Sequence, residues 1–389
     1  MLPGFCDTAV MRRRSAFAIA LAAAATFAPV FAPLWATLAA QEPNDPAPPS
    51  NLYTLHVYTN LMQFPTLVLR PDLSPMKPVP REKFDISIDG GPLFHPTKMR
   101  IEGNDPISLA VLLDAGGEQS SVLRDFARSF PQLILGALHP QDRISMYSVD
   151  CTVMRTLKEE PAVDPALIAQ GIANALAAPG LHGTKTKPAC GSHLHLWDAM
   201  AMVGQELGGS PSRRVLLVVS LGRENGSKDS LSWAAEYLSS QGVAVFGLRD
   251  NPEYRRESSF MSFGGGSGGT GRRGGLNLPG TISDEDLFAV MCGRNGGMIL
   301  DASMPGVAED LRHLIELLRG RYIIEYPRPE DKQAAMHSLD ITIAGTNAFI
   351  RPTGGSSPIP DPAILADPNT LPSTPSPAKA GSRRHLPQH

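Results

Sequence analysis

The sequence predicts an α/β fold: a doubly wound, mainly parallel sheet with a small flanking β module drawn from both chain ends. Three observations carry this. Leu109 to Leu113 and Val215 to Ser220 are short apolar runs that read as strands buried on both faces. Segments with helical spacing alternate with such runs through the centre of the chain. Period-two runs stand before residue 103 and again after residue 321.

The N-terminus reads as an export signal. Arg12, Arg13 and Arg14 form a basic stretch, Ala16 to Leu38 is uncharged and alanine-rich, and Leu38-Ala39-Ala40 offers a small-residue cleavage site. Residues 1–40 are therefore expected to be a signal peptide, and the mature protein to be periplasmic or extracellular. A retained membrane anchor is the competing reading, and Pro29 and Pro33 weigh against a spanning helix there. Residues 41–50 form a proline-rich linker.

From 51 to 103 the chain alternates as strands do: Tyr53, Leu55 and Val57, then Thr66 to Leu69, then Phe84, Ile86 and Ile88 closed by Asp89-Gly90-Gly91. Residues 104–320 form the expected α/β domain. After Leu109 to Leu113, helical spacing links Val122, Phe126, Phe130 and Leu133. Arg143 to Val149 and Val153 to Leu157 are strands; Ala166 to Ala178 and Leu196 to Leu207 are helices. The buried strand Val215 to Ser220 precedes a helix over Ser230 to Ser240 and a strand over Val243 to Leu248. Beyond a Gly-rich insertion at 258–280, Asp284 to Cys292 is helical, Met298 to Leu300 extended and Val307 to Leu318 amphipathic. Strand patterns return within 321–352 and are expected to join the N-terminal strands in one sandwich-like module. The Pro/Ser/Ala-rich tail, 353–389, has no apolar period and is expected to be disordered.

Composition excludes some classes of function. The formal net charge is -3 over 389 residues and no basic stripe dominates, so nucleic acid is not an expected partner. Of the four cysteines, Cys6 lies in the signal, Cys151 and Cys190 are candidates for a disulfide, and Cys292 sits in an apolar helix as a buried thiol.

An apolar strand that ends in Asp114 and leads through small residues into a helix resembles the first metal-site motif of von Willebrand factor type A domains. The likeness extends to Asn60-Leu61-Met62-Gln63-Phe64-Pro65, to Lys83 through Gly90, to Leu287 through Met298 with its Gly296-Gly297, and to Leu311 through Pro327. In that order and spacing the chain resembles a von Willebrand factor A-related family of exported bacterial proteins, of the Acidobacteria type, over about residues 51–355. The resemblance implies a Rossmann-like body and a metal-ion-dependent adhesion site at the carboxyl edge of its sheet.

That site is degenerate here. The family places Asp-x-Ser-x-Ser in the first loop, but Gly116 and Glu118 stand at the two Ser positions after Asp114. Leu194 falls at the second-loop Thr, with Ser192 two residues away, and Ser220-Leu221-Gly222 replaces Thr-Asp-Gly in the third loop. A hard cation takes six or more oxygens, and neither glycine nor leucine supplies one. No functional metal and no cofactor are expected; Asp114 and Glu118, with Glu224 or Asp229 swinging in, would hold Mg²⁺ or Ca²⁺ weakly. Cys190, His193 and His195 have metal-ligand chemistry but lack an evident fourth ligand.

The chain carries no Gly-x-Ser-x-Gly, no His-Glu-x-x-His and no phosphate-binding loop with its lysine. Ser220 follows a buried strand as a nucleophile would, yet Leu221-Gly222-Arg223 brings no base. The expected function is therefore non-catalytic recognition of a protein or cell-surface ligand, independent of metal, through Asp114 to Glu118, Gly191 to Leu194 and Leu221 to Asn225. The alternatives are an envelope scaffold and a weakly metal-dependent adhesin.

Overall fold

Ile107–Asp114 (β5) buries every residue except its last, and its side chains alternate between two separate cores. Leu109, Val111 and Leu113 enter one core, and Ala110 and Leu112 the other, as a strand's period of two requires. A computed structural model provides the structure. It describes residues 56–58, 61–115, 121–149, 152–177, 195–222, 224, 226–250, 286–302, 306–329, 335–357, 366, 368–372 and 378–381. All of these belong to one compact unit, Thr54–His389.

The central sheet runs β10-β9-β8-β5-β6-β7. Its members are Arg143–Val149 (β6), Val153–Pro161 (β7), Arg213–Val219 (β8), Val243–Asp250 (β9) and Ile299–Ala302 (β10). Every pairing is parallel except that of edge strand β7, which returns antiparallel along β6. Numbered by appearance the order is 3-2-1-4-5-6, the doubly wound arrangement. Ser121–Ala137 (α1), Pro165–Ala177 (α2) and Val307–Arg319 (α6) cover one face. Leu196–Gly208 (α3), Leu231–Ser240 (α4) and Leu287–Arg294 (α5) cover the other. The expected fold class is therefore present.

Local chemistry sets the helix starts. Asp164 accepts from the Ala166 and Leu167 N–H groups, and Pro165 takes the first helical position, where its missing N–H costs nothing. Asp286 caps α5 by accepting from the Ala289 N–H at 3.1 Å, so the helix begins later than Asp284. In α1 the buried stripe runs Val122, Phe126, Phe130 and Ile134, leaving Leu133 half-buried.

The flanking module does combine both ends. His56–Tyr58 (β1) pairs with Thr370–Pro372 (β16). Leu61–Leu69 (β2) lies between Phe349–Pro352 (β14) and Tyr322–Pro327 (β11), and Lys98–Ile101 (β4) flanks β11. Phe84–Ile88 (β3) pairs with Leu339–Ile343 (β13), and Ala335–Met336 (β12) with Ser356–Ser357 (β15). Phe64, Val68, Phe84, Ile86, Tyr322 and Ile324 pack between these strands. Pro65 lies inside β2, and its carbonyl accepts from the Thr353 N–H just beyond the end of the β14 pairing.

Two arginines hold the junction where the module meets the body. Arg319 reaches the buried Asp142 carboxylate, which also accepts from the Ile107 N–H, and the Gly103 and Asp105 carbonyls. Arg321 donates through Nε and Nη2 to both oxygens of Glu102, at 2.7 and 2.9 Å, with both side chains buried.

Candidate functional site at the carboxyl edge of the sheet

The strand order reverses between β5 and β8, since the chain winds outward from β5 in one direction and from β8 in the other. Crevices at such a switch point, outside the carboxyl ends of the strands, are where doubly wound sheets bind ligands. Asp114 and Ser220 stand there, one at the end of each strand. The Asp114 Oδ2 accepts from the Ser220 hydroxyl at 2.7 Å. Ser220 is buried, and its N–H still donates to the Leu248 carbonyl, so it holds the sheet's register one step past β8. Its Oγ also accepts from the Gly222 N–H at 3.0 Å. Both hydroxyl roles are thus taken by the loop's own architecture.

Gly222 is required for that turn. Its φ is +74°, and a Cβ there would stand 2.7 Å from Cδ1 of Phe288 in α5. The turn turns Leu221 outward, where it is 38% exposed. Leu287, beside Phe288 at the start of α5, is 43% exposed. Trp233, in the first turn of α4, is exposed too and stacks on Tyr237 with 5.3 Å between ring centroids. This stretch of rim offers large apolar side chains.

The loop that follows is fastened to the start of α3. The first amides of a helix have no intrahelical acceptor, and a carboxylate there also meets the positive end of the helix dipole. His195 supplies no side-chain cap. Glu224 does so from across the rim: its Oε2 accepts from the Leu196 and Trp197 N–H groups at 2.7 and 3.0 Å. Its Oε1 accepts from the Gly226 and Ser227 N–H groups. Ser227 Oγ accepts from the Trp197 and Asp198 N–H groups and donates to Glu224. Asp198 answers by accepting from the Lys228 and Asp229 N–H groups, both at 3.0 Å. Glu224 is therefore not a carboxylate waiting to swing toward a cation; it is engaged as the cap of α3. His195 Nδ1 lies 3.6 Å from Asp198.

A further cluster lies along the same edge. Arg249, buried near the end of β9, contacts Asp286 and donates through Nε to Asp301 of β10 at 2.9 Å. Sequence reading missed this triad, whose one signal is an arginine inside an apolar strand run. It also missed the capping by Glu224 and Ser227, which joins segments about thirty residues apart.

Of the residues singled out in the sequence, Asp114, Ser220 and Leu221 come together at the switch point. Gly116, Glu118, Ser192, Leu194, His193, Cys151 and Cys190 lie outside the described residues. Among the described residues no group of three His, Cys, Asp or Glu side chains is placed to hold a metal. Cys292 is a free thiol with no exposed surface, and burial pushes its pKa up. No helix of the described residues is long and apolar enough to cross a membrane.

No family model matches the chain, and no curated protein matches it at a significant level. Among solved structures it is similar to proximal thread matrix protein 1 of the mussel byssus, with 10% identity, a TM-score of 0.40 and coverage of 59% of this chain and 51% of that one. It is also similar to an aerotolerance-related membrane protein from Bacteroides fragilis, at 16% identity, TM-score 0.35 and coverage of 55% and 98%. The vWF domain of the type V pili tip protein Mfa5 from Porphyromonas gingivalis matches at 18% identity and TM-score 0.23, over 31% of this chain and 39% of that one. The chain spans about half the length of the mussel protein. Likenesses this distant say nothing of what the chain binds.

Proposed function

We propose that this chain is an exported, non-catalytic recognition module on a von Willebrand factor A-like body whose metal site has decayed. It binds a protein or cell-surface partner through the loops at the carboxyl edge of the sheet, without a metal. The observation that carries this reading is the third loop. Where a carboxylate would complete a cation's shell, Leu221 presents an exposed apolar side chain, and Leu287 and Trp233 extend the apolar rim. Apolar and aromatic side chains at a pre-formed rim suit macromolecular contact, whereas a hard cation calls for oxygens. Ser220 is poorly suited to act as a nucleophile, because its hydroxyl donates to Asp114 while its oxygen accepts from Gly222. Asp114 itself favours one second reading, residual and weak metal-dependent adhesion.

The test is capture from envelope extract by the mature chain and by a Leu221→Ser, Leu287→Ser variant. The variant is expected to lose most of the captured partner while keeping its circular dichroism spectrum. Equal capture by both would favour an envelope scaffold whose rim binds nothing.

A further inference from the structure

At the opposite, amino edge of the sheet, the body and the flanking module flank a half-open cavity of about 380 Å³. That lies in the size range of small-molecule sites. Its walls come from the start of β8, the turn between α4 and β9, the middle of β2, the exit of β14 and Arg321. Three arginines line it, and no Asp or Glu does.

The charges in these walls do not cancel. Arg321 gives Nε and Nη2 to Glu102, which leaves Nη1 buried with no hydrogen-bond partner. Arg213 donates to the Gln63 Oε1 at 3.3 Å and lies 3.5 Å from an Asp105 oxygen that is held more closely, at 2.6 Å, by Arg100. Arg214 donates to the carbonyls of Ser210 and Gln241. Among the described residues it makes no ion pair with a carboxylate, and burial alone lowers its pKa. The hydroxyl of Thr353, a residue 2% exposed, is a second buried polar group in the lining with no partner. Buried donors are ordinarily satisfied, and the residues that carry both orphans line this one cationic cavity.

We infer that this cavity binds a small oxyanion, a phosphate or carboxylate group on a low-molecular-weight ligand, held by Arg213, Arg214, the Nη1 of Arg321 and the Thr353 hydroxyl. Guanidinium groups match the planar and tetrahedral faces of such anions, and a hydroxyl adds a donor that an arginine cannot replace. The site lies away from the recognition rim and does not depend on its function. Because its walls come from both the body and the flanking module, an occupant would also tie the two together.

Titration calorimetry and thermal unfolding with inorganic phosphate and with citrate, against sodium chloride at matched ionic strength, test the inference. Saturable binding of phosphate, citrate or both is expected, with a rise in melting temperature that follows anion concentration. Arg213→Gln and Thr353→Val should each weaken that affinity by about tenfold, the ordinary worth of one charge-assisted bond. Thr353→Ser, which keeps the hydroxyl, should retain it. Arg321 is left intact because its removal would strand Glu102. Stabilisation no greater than that by chloride, or equal affinity in the wild type and both weakened variants, would overturn the proposal.

Discussion

Leu221 stands beside the Asp114–Ser220 hydrogen bond with an uncharged, part-exposed side chain, so this corner of the rim lacks the oxygen donor that an Asp in the third loop would give. Its neighbourhood was legible in sequence because each of these residues terminates or follows an apolar strand, and strand ends in a doubly wound sheet share one edge. What the sequence could not supply was the hydrogen bond itself, since residues 106 positions apart meet only through the β5–β8 pairing. Cys292 is the opposite case. An apolar helical period suffices to predict a buried thiol, and the residue has no exposed surface. Burial raises its pKa, so thiolate is scarce at neutral pH. Ellman's reagent on the folded protein should leave Cys292 unmodified over hours, with modification appearing only in denaturant; prompt labelling of the native thiol, located by peptide mapping, would contradict this burial.

Between elements, capping fastens the third loop to α3. Glu224 and Ser227 bond to the first amides of α3, and Asp198 bonds back to the loop, so the third loop and the start of α3 form one unit. These residues read as ordinary loop and helix polar groups in the sequence, and nothing in local spacing links Glu224 to Leu196. Removing the carboxylate leaves the Leu196 amide without an acceptor and Trp197 with Ser227 alone. Glu224→Ala is therefore expected to lower the stability of the fold by about 1–2 kcal/mol in urea denaturation, the usual cost of a lost cap with some burial. Glu224→Gln should recover only part, because it keeps one acceptor oxygen and loses the charge at the helix dipole. A midpoint unchanged in Glu224→Ala would mean that the loop does not depend on this contact. Secondary structure was the most legible level: alternating runs of period two and period 3.6 located strands and helices. Boundaries shifted where a cap decided them, as Asp286 does for α5.

Across the whole molecule, the flanking module is stitched from chain segments hundreds of residues apart, and its attachment rests partly on buried charge. Arg321 directly precedes the apolar strand β11; in the fold it is almost fully buried against Glu102, and the connection from the module into β5 runs through that pair. Sequence patterning cannot foresee such a pair, because a buried arginine and an exposed one look alike until the partner is known. Arg321→Met should cost about 3–5 kcal/mol, since Glu102 would be left buried and unpaired, whereas the double change Arg321→Met, Glu102→Leu should regain much of the loss. Additive destabilisation in the double variant would refute the coupling. Calorimetric titration of the mature chain with Mg²⁺ and Mn²⁺ decides whether the proposed recognition at the carboxyl edge is independent of metal. No binding in the micromolar range is predicted for the wild type; micromolar affinity that vanishes in Asp114→Ala would contradict it.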